Sequence, residues 1–570
     1  MGCPDKPGND ERTMTIDRNT IRWNGWGWAA HKDALASRDD VWDWLAGELG
    51  MPSLLATPPR PLEEITLAPS RLSAAERTLL VAIVGADRVR DDTYERAFHA
   101  LGRSYHDLLR LRAGDLSTAP DAVVYPRGAE EILAILALAS EAGIAIIPFG
   151  GGSSVVGGVS ASQGPFKAAI TLDLSGMDRV GEIDPVSGTA TAEAGIYGIA
   201  LEKALHAKGL TLGHYPQSYE FSTLGGWIAH RGAGQNSIRY GKAEDWLVSA
   251  KLATPRGMYE TEPFPASAAG PRLTDLITGS EGQFGIITEA TVRVRPLPAE
   301  SDYRGYLFRD FAGGAAAIRH AMQEEIPAAM LRLSDAEETR FYRAFGAIGK
   351  KRGLKGRVEQ AYLDYLKFDA KACALIAGFE GDAHEVADGR RRFAAIAKSL
   401  GALSIGKGSG ARWLEGRFHG PYLRDPMMDR GVGVDTLETA TSWSKIDALA
   451  AAVRAALEDA IRETAPTNGG KGIVMCHISH AYPDGASLYF TTIFPRALHG
   501  EIAQWQAIKK AASDAIVAHG GTISHHHGVG EDHLPWMTSE KGALGLEALR
   551  ALKRVFDPKG ILNPGKLIPP

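Results

Sequence analysis

Cysteine is scarce in this chain. Cys3, Cys373 and Cys476 are the only three in 570 residues. They are odd in number and far apart, which excludes a disulfide framework and fits a reducing compartment. Long apolar runs are missing too. None reaches the roughly 18 residues that a membrane-crossing helix needs. The first ten residues hold no signal-like apolar segment, and Lys6 stands where a myristoylation motif requires Ser or Thr. Neither sign of charge is in large excess: 63 basic residues face 68 acidic ones, so nothing in the balance attracts nucleic acid or an anionic membrane surface in general. No internal repeat or long low-complexity tract occurs, and the basic run Lys350-Lys351-Arg352 reads as solvated surface. These absences predict a cytoplasmic globular protein without a nucleic-acid partner, in which any anionic ligand is held by local arginines.

Glycine, by contrast, is concentrated where it matters. The stretch Pro148-Phe149-Gly150-Gly151-Gly152-Ser153-Ser154-Val155-Val156-Gly157-Gly158 follows an apolar β-type run, Ile144 to Ile147, and a helical pattern, Glu130 to Glu141. Five glycines in eleven positions let backbone N–H groups converge on an anion, and two serines add hydroxyls. A dinucleotide motif G-x-G-x-x-G fits Gly150 and Gly152 but fails at Val155, and the residues that follow read as extended. A P-loop forced from Gly152 to Gly157 puts Gly158 and Val159 where Lys and Ser/Thr belong. Three more such loops follow: Gln217-Ser218-Tyr219-Glu220-Phe221-Ser222-Thr223-Leu224-Gly225-Gly226, His230-Arg231-Gly232-Ala233-Gly234, and Gly279-Ser280-Glu281-Gly282-Gln283-Phe284-Gly285-Ile286-Ile287. Four in one region point to backbone lying against a large, flat ligand.

At 61.0 kDa the chain exceeds one ordinary core, and its texture divides it. Residues 1–115 are mixed helical patterns with Trp23, Trp26 and Trp28, a cluster expected to pack against a neighbouring domain. Residues 116–297 alternate strands (Ala168 to Leu174, Thr189 to Ala194, Trp246 to Thr254) with helices such as Tyr197 to Lys208. Residues 298–520 carry longer alanine-rich helices, among them Ala440 to Thr464, and a hairpin of Ile473 to His480 and Ala486 to Phe494 around Pro483-Asp484-Gly485. Residues 521–570 hold His525-His526-His527 and end in Asn563-Pro564-Gly565-Lys566. The fold class is α+β.

The loop from Pro148 to Ser154, Glu220 to Trp227, and Gly279 to Gly282 with Ile286 to Ala290 together resemble the vanillyl-alcohol oxidase/p-cresol methylhydroxylase superfamily of flavoproteins. The resemblance implies a two-part FAD-binding domain, here 116–297, an α+β cap over the isoalloxazine ring, here 298–520, and a C-terminal segment returning a histidine loop to the FAD domain. Within the superfamily, Arg22 to Gly27, Ala253 to Gly257, Arg332 to Asp335, Tyr422 to Asp425, Leu488 to Phe490 and Ser524 to Gly530 resemble the alkyldihydroxyacetonephosphate synthases, also called alkylglycerone-phosphate synthases. That likeness implies FAD contacts at Pro148 to Ser154, Gln217 to Thr223, His230 to Ala233 and Glu281 to Ile287, without a covalent link. It implies Tyr489 as general acid/base, Arg424 as a phosphate contact, Arg332 as a supporting charge and His525, His526 and His527 as the active-site loop. The implied reaction replaces the acyl group of acyl-dihydroxyacetone phosphate by a fatty alcohol, through a bond to flavin N5 and with no net redox change. Partners are then a lipid phosphate and a fatty alcohol, with peripheral membrane contact and a homodimer as further expectations.

The residues alone leave this more open. Strand alternation puts Tyr489 and Thr491 opposite Leu488, Phe490 and Thr492, with His477 and Ser479 on a comparable face of the partner strand. A tyrosine there is ordinarily an interface aromatic, and it works as a base only where neighbours accept its proton or stabilise its anion. In an extended segment His525 and His527 share a face and His526 points away, so the three do not converge on one ion. No Asp, Glu or Cys at ligand spacing completes a site, and no metal is expected. Arg424 reads equally as a surface ion pair or a bidentate phosphate contact. The ending Asn563 to Pro570 also looks like flavin-linked dehydrogenases of small 2-hydroxy acids. The alternatives are therefore such an oxidase or dehydrogenase, or a flavin-binding module without chemistry.

Overall fold

A computed structural model describes residues 16–569 apart from 32, 34, 350–362, 364, 367, 467 and 468. Cys3, Lys6 and the run Lys350-Lys351-Arg352 lie outside the described residues.

Among the described residues three larger sheets, with one two-stranded pair, organise the fold. The first has four strands in the order Val89–Arg90, Ala122–Val124, Ala168–Asp173, Ile144–Phe149. Its last three strands are parallel, and the apolar Ile144–Phe149 is almost wholly buried, as a parallel sheet covered on both faces requires. The helix Ala129–Ala142 delivers the chain to that strand. Glu130 and Glu131 favour its positive N-terminal end, and Ile132, Ile135, Leu136 and Ala139 form its buried stripe. Gly143, left-handed at φ 68, ends it. The chain's far end completes the sheet: Leu562 bridges Ile146 in parallel, with Ile561 and Asn563 exchanging backbone hydrogen bonds with Ile146 at 2.8 Å.

The second sheet is antiparallel, in the order Val180–Asp184, Thr189–Glu193, Ile286–Arg293, Leu247–Thr254, Gly257–Glu260. The third has seven antiparallel strands: Leu403–Gly406, Glu300–Phe308, Cys373–Gly381, Met330–Ser334, Ile473–Ala481, Gly485–Pro495 and Val432–Ser442. The helices Phe311–Gln323, Ala383–Ser399, Ile446–Glu463 and Glu501–Ala518 belong to the same part of the chain.

Two local expectations are corrected. The helix expected from Ala440 to Thr464 begins only at Ile446. Ala440 and Thr441 instead pair with Ser487 and Ala486 in the sheet, because cross-strand pairing outweighs the weak helical bias of alanine. The residues after Gly152, read as extended, form turns and bends with no strand. Trp23 and Trp26 are buried, and Trp26 and Trp28 pack edge-on against Phe221 at 5.5 and 5.0 Å, as expected of a packing cluster.

Candidate active site

The four glycine loops meet. A Cβ on Gly151 would collide with the Phe221 carbonyl, one on Gly150 with the Thr223 hydroxyl, and one on Gly282 with the Pro148 ring, so the loops 148–154, 217–223 and 281–285 pack too closely for a side chain at these glycines. Gly158 would meet the His230 imidazole at 2.7 Å in the same way, and Gly528 of the histidine loop also meets His230 at 2.7 Å. Two left-handed residues, Gly152 (φ 70) and Glu281 (φ 48), turn the backbone at this junction. Glu281 fixes the histidine loop to it: its carboxylate accepts from the Val529 and Gly530 N–H groups at 2.6 and 2.7 Å. Asn563 donates to the Glu281 and Gly158 carbonyls at 2.7 and 3.1 Å, and Gln283 donates to the Asn563 carbonyl at 2.5 Å. The run Asn563 to Lys566 therefore serves the cradle, and its likeness to dehydrogenases carries no information about substrate.

Among the described residues, no backbone N–H from Gly151 to Val155 donates within the chain. Nε and Nη1 of buried Arg18, whose Nη2 reaches the Gly150 carbonyl, have no acceptor, and neither Tyr197 Oη nor His230 Nε2 has a partner. A tight cradle rimmed by unused donors fits a pyrophosphate-bearing cofactor such as FAD.

Above the cradle, Tyr489 lies between two partners in the third sheet: it is in register with Glu438 on one side and His477 on the other. Its ring stacks on His477 at 4.9 Å, and His526 and His527 lie 6.2 and 5.6 Å away. Burial raises the phenol to about 12; Glu438 pushes it further up, while Thr436 and Arg424 pull it down.

Glu438, buried in its strand, gathers the histidine loop. It accepts from the N–H groups of His525, His526 and His527 at 2.6, 3.0 and 2.9 Å and from the Ser524 hydroxyl at 2.9 Å. Burial opposes its ionisation, but the histidines around it hold it well below the usual carboxylate range. Three successive N–H groups converging on one carboxylate force the chain to curl, which overturns the expectation that His526 points away from His525. Their Nδ1 atoms are 2.9 Å apart, and one nitrogen from each, with one from His480, lies within 4.8 Å of the others. Tyr482 Oη engages His525 Nε2 at 2.6 Å, and Lys242 donates to the His525 carbonyl at 3.0 Å. Burial lowers all four imidazoles, His480 to about 3, so they are neutral near pH 7.

The two arginines differ. Arg332 donates to Ser334 and Glu338, each at 2.8 Å, and lies 3.1 Å from His477 Nδ1, so it braces the imidazole under Tyr489. Arg424 opens the short helix Arg424–Met428. It is half-buried, with an enclosed Nε that has no partner, and desolvation lowers its pKa, opposed by Asp425, Asp435 and Tyr489. Asp425 ties this helix to the N-terminal arm by accepting from the Trp26 N–H at 2.7 Å. Sequence reading missed Glu438, His480, Tyr482 and Asn563. The one available signal was the pair of acidic residues, Asp435 and Glu438, inside the apolar and threonine-rich run Val432–Ser442.

Comparison with known proteins agrees with this geometry. Residues 120–261 match the FAD binding domain family, and residues 297–567 match the FAD linked oxidases, C-terminal domain family. A p-cresol methylhydroxylase structure shares the fold at 16% identity, with a TM-score of 0.63 over 88% of this chain and 98% of that one. The chain is an FAD-dependent flavoprotein. Its long-range likeness is more particular. It is 36% identical to the alkyldihydroxyacetonephosphate synthase of Dictyostelium discoideum over 92% of this chain and 86% of that protein. A solved alkyldihydroxyacetonephosphate synthase superposes with a TM-score of 0.81 at 32% identity, covering 97% of this chain and all of the other. The chain belongs to the alkyldihydroxyacetonephosphate synthase family.

Proposed function

We propose that this enzyme exchanges the acyl group of an acyl-dihydroxyacetone phosphate for a fatty alcohol in ether-lipid synthesis. The observation that carries the reading is the convergence, beside the glycine cradle, of a half-buried tyrosine, neutral imidazoles and a half-buried arginine whose Nε has no partner. FAD, held without a covalent bond, would lie along loops 148–154, 217–223, 230–233 and 281–287, and when bound it supplies an electron sink for the substrate carbon. In this reading Arg424 orients the phosphate, because a planar guanidinium matches phosphate oxygens in pairs. Tyr489 removes the proton from the substrate's C1 and returns it later. With its phenol raised to about 12, Tyr489 is protonated at rest and must pass its own proton to a neutral imidazole before it acts as base. His526 and His527 stand beside it, and Glu438 stabilises the imidazolium that results. Arg332 and Glu338 hold His477, and through it the tyrosine ring. In this architecture residues 116–297 form the cofactor domain, 298–520 the cap, and 521–570 the returning segment. Among the described residues no helix is long and apolar enough to cross a membrane.

Anaerobic mixing with acyl-dihydroxyacetone phosphate tests the reading. The flavin is expected to bleach with release of fatty acid, and no electrons should reach an acceptor dye. Dye reduction by D-lactate, with no response to the phosphate ester, would overturn it.

A further inference from the structure

In the reading above Arg424 meets a dianionic headgroup, and the fold buries another cation near Asp435, a carboxyl group within electrostatic reach of Arg424. Lys509 lies in the helix Glu501–Ala518, only 6% exposed. Burying an ammonium is costly unless it is paired, yet no described residue accepts a hydrogen bond or forms a salt bridge with its amine.

Its surroundings can be placed by contact. One turn earlier on the same helix, Trp505 donates through Nε1 to Asp435 Oδ2 at 3.1 Å. Trp505 stacks on His106 at 4.3 Å, and His106 Nδ1 stands 4.0 Å from Asp532 Oδ1. Asp435 belongs to the strand that carries Glu438, three residues before it. Lys509 lies within electrostatic reach of Asp435 on the strand, of Asp532 and His533 in the segment after the histidine loop, and of His527 in the loop itself. Asp435 also lies within electrostatic reach of Arg424, and Arg424 of Tyr489. Both cations are therefore within electrostatic reach of one carboxyl group, Asp435.

Burial raises the carboxyl groups of Asp435 and Asp532, with Lys509 the largest opposing influence on each. With no acceptor among the described residues, the three N–H donors of the Lys509 amine are open to an incoming anion.

We propose that Lys509 is a second binding cation for the substrate's phosphate, acting with Arg424 across Asp435. The proposal rests on the phosphate-ester reading above and adds a recognition residue to it. Lys509 contributes a point charge where Arg424 contributes a planar fork, and the pair favours a terminal phosphate over a carboxylate of similar reach.

Calorimetric titration of FAD-loaded enzyme with an acyl-dihydroxyacetone phosphate and, separately, with a fatty alcohol tests this. Lys509→Met, which keeps the aliphatic stem, should weaken the phosphate ester by about 10- to 100-fold, the loss expected for one charge-assisted hydrogen bond. Fatty-alcohol affinity should stay unchanged, and Lys509→Arg should recover the ester to within a few-fold. Ester affinity unchanged in Lys509→Met overturns the proposal. So does parallel loss of ester and alcohol with a lowered melting temperature, which marks a packing role. If the unaltered enzyme takes up no phosphate ester at all, the functional reading fails first and this inference fails with it.

Discussion

Glu438 and Tyr489 are direct cross-strand partners in the seven-stranded sheet, one an ionised carboxylate buried under three histidine N–H groups and the other a phenol kept protonated by the same burial. Their register fixes the histidine loop over the tyrosine face: a slip of one residue would send Glu438 to the other side of the sheet and leave the loop without its acceptor.

Tyr489→Phe keeps the ring that stacks on His477 at 4.9 Å and removes only the hydroxyl. Turnover should fall at least about a thousandfold, within the contribution that positioned proton transfer makes, while the bound flavin spectrum and melting temperature stay close to those of the unaltered enzyme. Substantial residual turnover would take the base role away from this residue.

Glu438→Gln retains the size of the side chain and removes its charge. One amide oxygen cannot replace two carboxylate oxygens that together accept four hydrogen bonds, and the amide nitrogen faces donors. A loss of about 2 kcal/mol or more is expected, together with faster proteolytic cleavage near residues 522–530 and loss of activity. A variant as stable and protease-resistant as the parent would show that the loop is held by something else.

Gly151→Ala places a methyl group against the Phe221 carbonyl, a backbone atom that cannot swing aside. The loops must part, so FAD retained after gel filtration should drop below about a tenth of the parental content while circular dichroism still reports a folded chain; a clash of this kind costs on the order of 1–3 kcal/mol. Full retention of FAD would place the cofactor away from this loop.

Acid stability should carry the signature of Glu338. Burial opposes its ionisation, but Arg332 and His477 outweigh that and hold it near 2 against an ordinary 4.5. Since the folded value is depressed, the stabilisation is fully present above pH 4.5 and is lost as pH falls from there toward 2, on the order of 3 kcal/mol in total. Urea midpoints measured from pH 6 to pH 3.5 should reveal roughly 1 kcal/mol of that loss, and Glu338→Gln should flatten the slope. An unchanged slope in the variant would assign the acid sensitivity to other carboxylates.

The parts of this site that sequence disclosed are those where another segment comes close to a glycine backbone. Gly150, Gly151 and Gly282 are required because another chain segment sits where a Cβ would be, and such a requirement is visible in composition. Tyr489 and Arg424 were reached through family resemblance, since alternation alone placed Tyr489 only on a mixed face. Glu438 and Lys509 left almost no trace. A lone charged residue in a strand or helix reads as solvent-facing, and its burial depends on partners brought together by tertiary pairing. The histidine run misled for the same reason: its curl is imposed by Glu438, 87 positions before His525.

The bridge between Leu562 and Ile146 gives the flavoprotein a temporal constraint. Asn563 reaches Gly158 across 405 positions, so during synthesis this tie forms only after nearly the whole described chain has left the ribosome. A message cut short ten codons before Asn563 would yield a polypeptide with every glycine loop in place but without the two hydrogen bonds that link the Gly158 and Glu281 carbonyls.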